Sequence, residues 1–297
     1  MRKVNWSYIK NKYKWEKRTA GERVLFITVF LFFAFEAASL LFAFGWGVMA
    51  SLKEPLEYYD NPWGFPKLWL LSNYIQSFGM IELDGIGYVR MLVNSIWYTL
   101  GGVAIYIATQ SLVCYILAKY SEFKITSVII TIGIVMMMVP IYGTLPATYK
   151  LYMDIKIFDT PFILVDCISL FGSNWLIMLS YYRNISSEYR DAAFLDGCGH
   201  FQAYLRVMIP LASPILVSCG LLAFMGRWTD YQTPILFLES YPTLSSGLYT
   251  FGEYAERFGN YPMYFAGMII SSLPLLLLFA FFSKTMMENM AFGGLKG

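Results

Sequence analysis

Six stretches of the chain are long and apolar enough to cross about 30 Å of hydrocarbon at about 1.5 Å per helical residue: 24–49, 93–118, 125–145, 162–181, 215–238 and 263–282. Between the fourth and fifth lies a polar segment, residues 188–214, reading EYRDAAFLDGCGHFQAYLRVMIPLASP. Its first part, 187–195, predicts a helix, with Glu188 and Asp191 near the start, where the macrodipole favours negative charge. Gly197 and Gly199 break it. A second short helix is predicted over 200–208, because Phe201, Tyr204, Leu205 and Met208 fall at i, i+3, i+4 and i+7, and Pro210 and Pro214 are expected to close it. So small a helix pair cannot bury two aromatic rings against itself, so the stripe needs another surface: a partner protein, or lipid headgroups if the helix is interfacial.

Composition fixes the class. With 57% apolar, 19% aromatic and 14% charged residues and a mean hydropathy of +0.51, the chain reads as an all-α integral membrane protein. Net charge is only +2, but the 22 basic residues are unevenly placed. If the N-terminus is cytosolic, that side holds Arg2, Lys3, Lys10, Lys12, Lys14, Lys17, Arg18, Arg23, Lys119, Lys124, Arg183, Arg190, Arg206, Lys284 and Lys296. The other side has Lys53, Lys67, Arg90, Lys150, Lys156 and Arg257, and Arg227 falls inside a span. The positive-inside rule then places both termini and the 188–214 loop in the cytosol. The first apolar run is too long for a secretory signal, carries Glu36 and lacks a small-residue cleavage site, so an uncleaved helix is expected.

The organisation that follows is a basic N-terminal segment (1–23), a first membrane helix (24–50) and an extracytoplasmic loop (51–92). A five-helix core (93–283) then contains the cytosolic loop (183–213), and a tail (284–297) ends the chain. Residues 1–23 interleave basic groups with Trp6, Tyr8, Tyr13 and Trp15, which suits an anionic leaflet. The 51–92 loop, with Pro55, Pro62, Pro66 and many aromatic residues, is too aromatic for a tether; it packs on the outer mouth, meets an external partner or anchors at the interface. Residues 119–124 make a tight turn between the second and third spans, Pro140 predicts a kink in the third, and 148–160 an interfacial helix.

The fifth span carries Gly226-Arg227-Trp228-Thr229-Asp230-Tyr231-Gln232-Thr233-Pro234. Charges in apolar surroundings should face a cavity or each other. Arg227 and Asp230, three apart, are expected to pair on one helix face, as a structural ion pair near a gate or as substrate contacts. Arg227, Trp228, Asp230 and Tyr231 are thus the candidate pathway or gate residues.

Other chemistry is excluded. No G-x-x-x-x-G-K-[ST] phosphate loop occurs, so ATP binding by that route is not expected. The single histidine, His200, reads as a loop residue, with a pH or docking role as the alternative, and no Ser-His-Asp set or His/Cys metal cluster can be assembled. Cys114, Cys167, Cys198 and Cys219 form no disulfide framework, and nothing points to nucleic acid.

Residues 188–214 resemble the "EAA" loop of the membrane subunits of binding-protein-dependent ABC importers: Glu-Ala-Ala, three residues, Gly, nine residues, then Ile-x-Leu-Pro. Here Asp191, Ala192 and Ala193 are followed by Gly197 and by Val207, Ile209 and Pro210 with the intervals kept, Asp191 standing where the family has Glu. The segment from Trp228 to Pro234 and the 51–92 loop resemble those of carbohydrate permeases. Gly293, Gly294, Lys296 and Gly297 resemble the Gly-x-x-Lys-Gly ending of maltose-type permeases.

The resemblance implies a type I ABC importer permease of six transmembrane helices in a bacterial inner membrane, carrying a carbohydrate. It implies a second permease subunit, two ATPase subunits that bind ATP and Mg, and an extracytoplasmic solute-binding protein, with no cofactor and no ATPase site in this chain. Asp191, Ala192, Ala193, Phe194, Gly197, Phe201, Val207, Ile209 and Pro210 would couple to the ATPase, and the glycine-lysine tail would reach into the ATPase pair. The competing reading is an ion-coupled secondary transporter with Glu36, Asp166, Arg227 and Asp230 as relay, against which stands the absence of a visible inverted repeat or broken-helix pair.

Overall fold

The structure, a computed structural model, describes residues 19–139 and 143–292. Four described helices are long and apolar enough to span a membrane: α1 (Ala20–Ser51), α4 (Tyr88–Lys119), α9 (His200–Trp228) and α12, whose apolar part is Tyr261–Ser283. α12 itself runs Tyr261–Phe292. Between α1 and α4 lie α2 (Pro55–Asp60), α3 (Ser72–Met80) and a ribbon of β1 (Glu82–Leu83) and β2 (Ile86–Gly87), antiparallel, with Glu82 opposite Gly87. α5 (Lys124–Met138) and α6 (Leu145–Asp154) follow; the kink expected at Pro140 lies outside the described residues.

Three of the six expected spans are not continuous helices over their expected length: α5 covers the third only as far as Met138, where Val139 is extended, and the fourth and fifth are broken. In the fourth, a 3-10 segment (Pro161–Cys167) is separated by extended chain from α7 (Trp175–Asn184). Ser169, Gly172, Ser173 and Asn174 supply the interruption. Backbone freed inside a bilayer needs internal partners, and the Gly172 amide donates to Gln110 Oε1 of α4 at 3.2 Å. In the fifth, α9 stops at Trp228 and a short α10 (Gln232–Phe237) starts afresh. Asp230 Oδ1 accepts from the Thr233 amide at 3.1 Å, as a helix cap does, and Pro234 has no amide with which to continue the earlier helix. The broken-helix pair that the sequence did not display is therefore present.

At its other end α9 is longer than expected. Pro210 and Pro214 do not close the 200–208 helix, which runs unbroken through a π turn (Tyr204–Met208) into the span. The wider turn takes up Pro210, where the Ile209 amide bonds back to the Tyr204 carbonyl. Pro214 cannot donate to the Pro210 carbonyl, and Ser213 Oγ does so instead at 2.8 Å.

α4 is the hub. Its loop-end half packs with α7 and α9 around Cys114, Tyr115, Trp175, Met178, Tyr182 and Met208. Its opposite half packs around Met91, with Ile81, Phe224 and Trp228, and with Leu244 and Phe251 of α11 (Leu244–Phe258). α1 meets this bundle near its C-terminal end, where Trp46 Nε1 donates to the Pro62 carbonyl at 2.9 Å and its ring meets Phe265 of α12 edge-on at 5.4 Å. Beside it, Lys53 is buried and donates to the carbonyls of Asn61 (2.6 Å) and Pro62 (3.2 Å). Burial holds its ammonium pKa below the usual lysine range, against the opposing pull of Glu57.

Candidate functional site

The loop begins with α8 (Glu188–Leu195), whose first turn carries Glu188 and Asp191. Asp196 and Gly197 end it, and Gly197 sits at φ +83°, a conformation L side chains rarely adopt although the space around it is open. α9 then starts at His200 behind Gly199. Phe194 meets the His200 ring edge-on at 4.8 Å, and the Tyr120 hydroxyl lies 2.6 Å from His200 Nδ1. The histidine is thus a pin across the bend.

The base of the loop is fastened to α4 by charged groups. Lys119 Nζ donates to the Ile185 carbonyl, and Arg190 Nη1 donates to the Lys119 carbonyl. Arg190 also pairs with Asp191 at 2.9 Å and lies over the Tyr120 ring at 5.4 Å. Ala193, Ala203, Tyr204 and Met208 are buried, and Tyr204 donates to Ser111 of α4 at 3.0 Å. Asp191, Ala192 and Pro210 are exposed, and Phe194, Val207 and Ile209 are half-buried. The tip is different: Leu195 is 89% exposed and Phe201 63% exposed. The predicted stripe therefore splits, with Tyr204 and Met208 facing the bundle and Phe201 and Leu205 facing away. The result is an apolar knob on a rigid, cross-tied base. Sequence reading missed Lys119, Tyr120 and Arg190 as structural parts of this site, treating the two basic ones only as topology charges.

A second polar cluster lies towards the opposite end. Arg227 does not pair with Asp230: its Nη1 is 3.8 Å from Asp166 Oδ2 in the 3-10 segment, and its guanidinium lies over the Tyr98 ring at 4.3 Å. The helix ends one residue after Arg227, so Asp230 no longer shares its face. Asp230 instead accepts from the Tyr98 hydroxyl at 2.8 Å, and Asp166 accepts from Tyr152 of α6 at 2.7 Å. The network joins α4, α6, both broken spans and α10. It borders a cleft of about 430 Å³ lined by Tyr106, Asp166, Ser173, Asn174 and Arg227, into whose neighbourhood Arg227 brings two buried nitrogens without acceptors. Gly102 makes the room, since a Cβ there would lie 2.9 Å from Cys167 Sγ and 3.0 Å from Arg227 Nε.

Trp228 points the other way, donating to the Ser271 carbonyl of α12 at 3.2 Å. Tyr231 stacks on Tyr249 of α11, which sequence reading had not singled out. Glu253 beside it raises the Tyr249 phenol pKa above its usual range, keeping the proton on. Of the proposed ion relay, Asp166, Arg227 and Asp230 share this network, while Glu36 is exposed on α1. Gly293, Gly294, Lys296 and Gly297 lie outside the described residues.

Residues 110–286, which span the loop, both broken spans and most of α12, match the family model described as "Binding-protein-dependent transport system inner membrane component". The chain belongs to this family. It is therefore an integral inner-membrane transport component and no relay-driven transporter of a separate class. Among curated relatives, it is 26% identical over 281 residues to the probable ABC transporter permease protein YurM of Bacillus subtilis, covering 93% of this chain and 89% of that protein. It is 28% identical over 276 residues to the sulfoquinovosyl glycerol transport system permease protein SmoH of Agrobacterium fabrum, covering 89% and 93%. It is 27% identical over 241 residues to the arabinooligosaccharides transport system permease protein AraQ of Bacillus subtilis, covering 78% and 81%. A chain from the crystal structure of a bacterial ABC transporter involved in the import of the acidic polysaccharide alginate superposes with a TM-score of 0.72 at 20% identity, covering 90% of this chain and 98% of that one. The shared fold is that of a type I permease.

Proposed function

We propose that the chain is one of two permease subunits of an ATP-driven importer for a carbohydrate, forming half of the translocation pathway. The relatives named for arabinooligosaccharides and sulfoquinovosyl glycerol support the substrate class. Both termini and the 188–214 loop face the cytosol in this reading, two ATPase copies hold the ATP and Mg, and an external solute-binding protein delivers the sugar. The carrying observation is the exposed knob of Leu195 and Phe201 on a base tied to α4, since a lever needs a free tip and a stiff root. The ATPase groove receives the knob, with Asp191, Ala192, Ala193, Phe194, Gly197, Val207, Ile209 and Pro210 shaping the bend around it. The tail residues Gly293, Gly294, Lys296 and Gly297 add a second contact. Closing of the ATPases moves α8 and the start of α9, and α4 carries that motion to the Arg227 network, biasing the paired permeases between inward- and outward-facing states.

The test is Gly197→Val. A branched residue at positive φ costs about 1–3 kcal/mol of local strain, so the bend relaxes and sugar uptake falls about tenfold or more while the complex still assembles. A disulfide between Leu195→Cys and a cysteine placed in the ATPase groove should form in the assembled complex. Normal uptake by Gly197→Val with normal assembly, or no cross-link at any groove position, would defeat the coupling assignment.

A further inference from the structure

Tyr231 and Tyr249 stack with ring centroids 4.5 Å apart and only 6° between planes. Both stay open, Tyr231 at 44% and Tyr249 at 43% exposure. They border a cavity of about 350 Å³ at the end of α9, lined also by Trp228, Thr229, Ser245 and Tyr264. The pair comes from two elements, the break after α9 and the middle of α11, so the stack is a product of the fold.

The serine and threonine hydroxyls around it are of two kinds, those committed to the backbone and that of Ser271, which is buried without a partner among the described residues. Thr229 Oγ1 donates to the Met225 carbonyl at 3.0 Å, Ser245 Oγ to the Trp228 carbonyl, and Ser272 Oγ to the Ile269 carbonyl at 2.8 Å. These three have spent their protons on the backbone and keep lone pairs for a ligand, whereas Ser271 Oγ still has its proton to give. Glu253, one turn beyond Tyr249 and outside the cavity lining, places a negative charge beside that ring. A fitting occupant therefore has an apolar face for the rings and a rim of groups that both donate and accept, as sugar hydroxyls do, and the Glu253 charge beside Tyr249 favours one without negative charge.

We propose that the Tyr231–Tyr249 stack is a receiving platform for a neutral pyranose unit of the transported sugar, with the hydroxyls of Thr229, Ser245 and Ser272 accepting from its rim. This rests on the carbohydrate reading above and narrows it. The C–H face of the pyranose covers the exposed tyrosine ring, and its hydroxyl groups replace water at the acceptors. An acidic sugar is disfavoured here by Glu253.

The test uses the complete importer in proteoliposomes with its binding protein, and reads sugar moved per ATP hydrolysed. The probes are maltotriose, cellotriose and xylotriose as neutral pyranose sugars and trigalacturonate as the acidic one. Wild type should move at least one neutral sugar and no trigalacturonate. Tyr249→Ala should lower sugar moved per ATP about three- to tenfold, the worth of one lost ring contact, with ATPase stimulation by the binding protein kept within about twofold. Tyr249→Phe should restore transport. If Tyr249→Ala fails to reach the membrane, Thr229→Val, which removes an acceptor but keeps the shape, should show the same drop. Unchanged ratios in the assembled variants, or transport of trigalacturonate, overturn the platform alone. Transport of no sugar by wild type overturns the carbohydrate reading, and the platform with it.

Discussion

α1 and α4 are each 32 residues long and apolar, yet they stand in opposite relations to the protein. None of the most apolar window of α1 is buried, against 33% for α4. The cause is a handful of polar side chains. Buried Asn94 of α4 donates to the Pro242 carbonyl at 2.9 Å, Ser95 accepts from the Leu244 amide at 2.8 Å, Gln110 accepts from Gly172, and Ser111 meets Tyr182 at 2.7 Å. In lipid, apolar side chains gain little by leaving hydrocarbon for one another, so hydrogen bonds and small residues select which helices meet. α1 has small residues, Ala34, Ala37, Ala38 and Ala43 among them, but its ties gather near its C-terminal end, where Trp46 is joined by Ser51, whose hydroxyl meets Tyr74 at 2.7 Å and whose carbonyl accepts from Asn73 at 2.8 Å. α4 joins the two candidate sites, with Lys119 at the loop and Tyr98 and Gly102 at the Arg227 network.

The sharpest way to break the contrast is Gly102→Leu. The new side chain would displace Cys167 and Arg227, adding about 1–3 kcal/mol of overpacking to a lost ion pair. Transport should fall to background, with a lower melting temperature in detergent. Next is Gln110→Leu, similar in size but unable to satisfy the Gly172 amide; a loss of about 1–3 kcal/mol should appear in chemical denaturation, with the broken span more open to protease. Trp46→Ala is smaller. It removes one indole–carbonyl bond worth about 1 kcal/mol together with ring contacts, and should loosen the 52–71 segment, seen as faster proteolysis, while transport persists. Phe33→Leu, in the exposed middle of α1, should change stability by less than about 0.5 kcal/mol. A large effect there would mean that α1 is covered in the assembled complex.

What could be read from the sequence depended on distance along the chain. The bend of the loop was legible because Gly197 carries its meaning in local spacing, whereas Pro210, expected to close the second helix, lies inside a helix that runs on. Gly197 does adopt the left-handed turn that only its residue type takes readily. The Arg227 network was not, because a three-residue separation favours Asp230 only if the helix continues, and Asp166 lies in another element altogether. The interruption at 168–174 had a signal in Ser169, Gly172, Ser173 and Asn174, which a hydropathy window averages away. The short Tyr204–Met208 turn had none, since its residues are ordinary helix formers apart from the proline that follows.

That turn has a geometric consequence. A π turn holds one residue more than an α-helical path would, so every side chain after Met208 is out of phase by about 100° relative to regular winding from His200. Arg227 is about 28 Å further along the same rod. The direction in which its guanidinium leaves the helix, towards Asp166, is thus decided at the loop, and shortening the chain there by a single residue would swing the whole far half of the rod to a different azimuth.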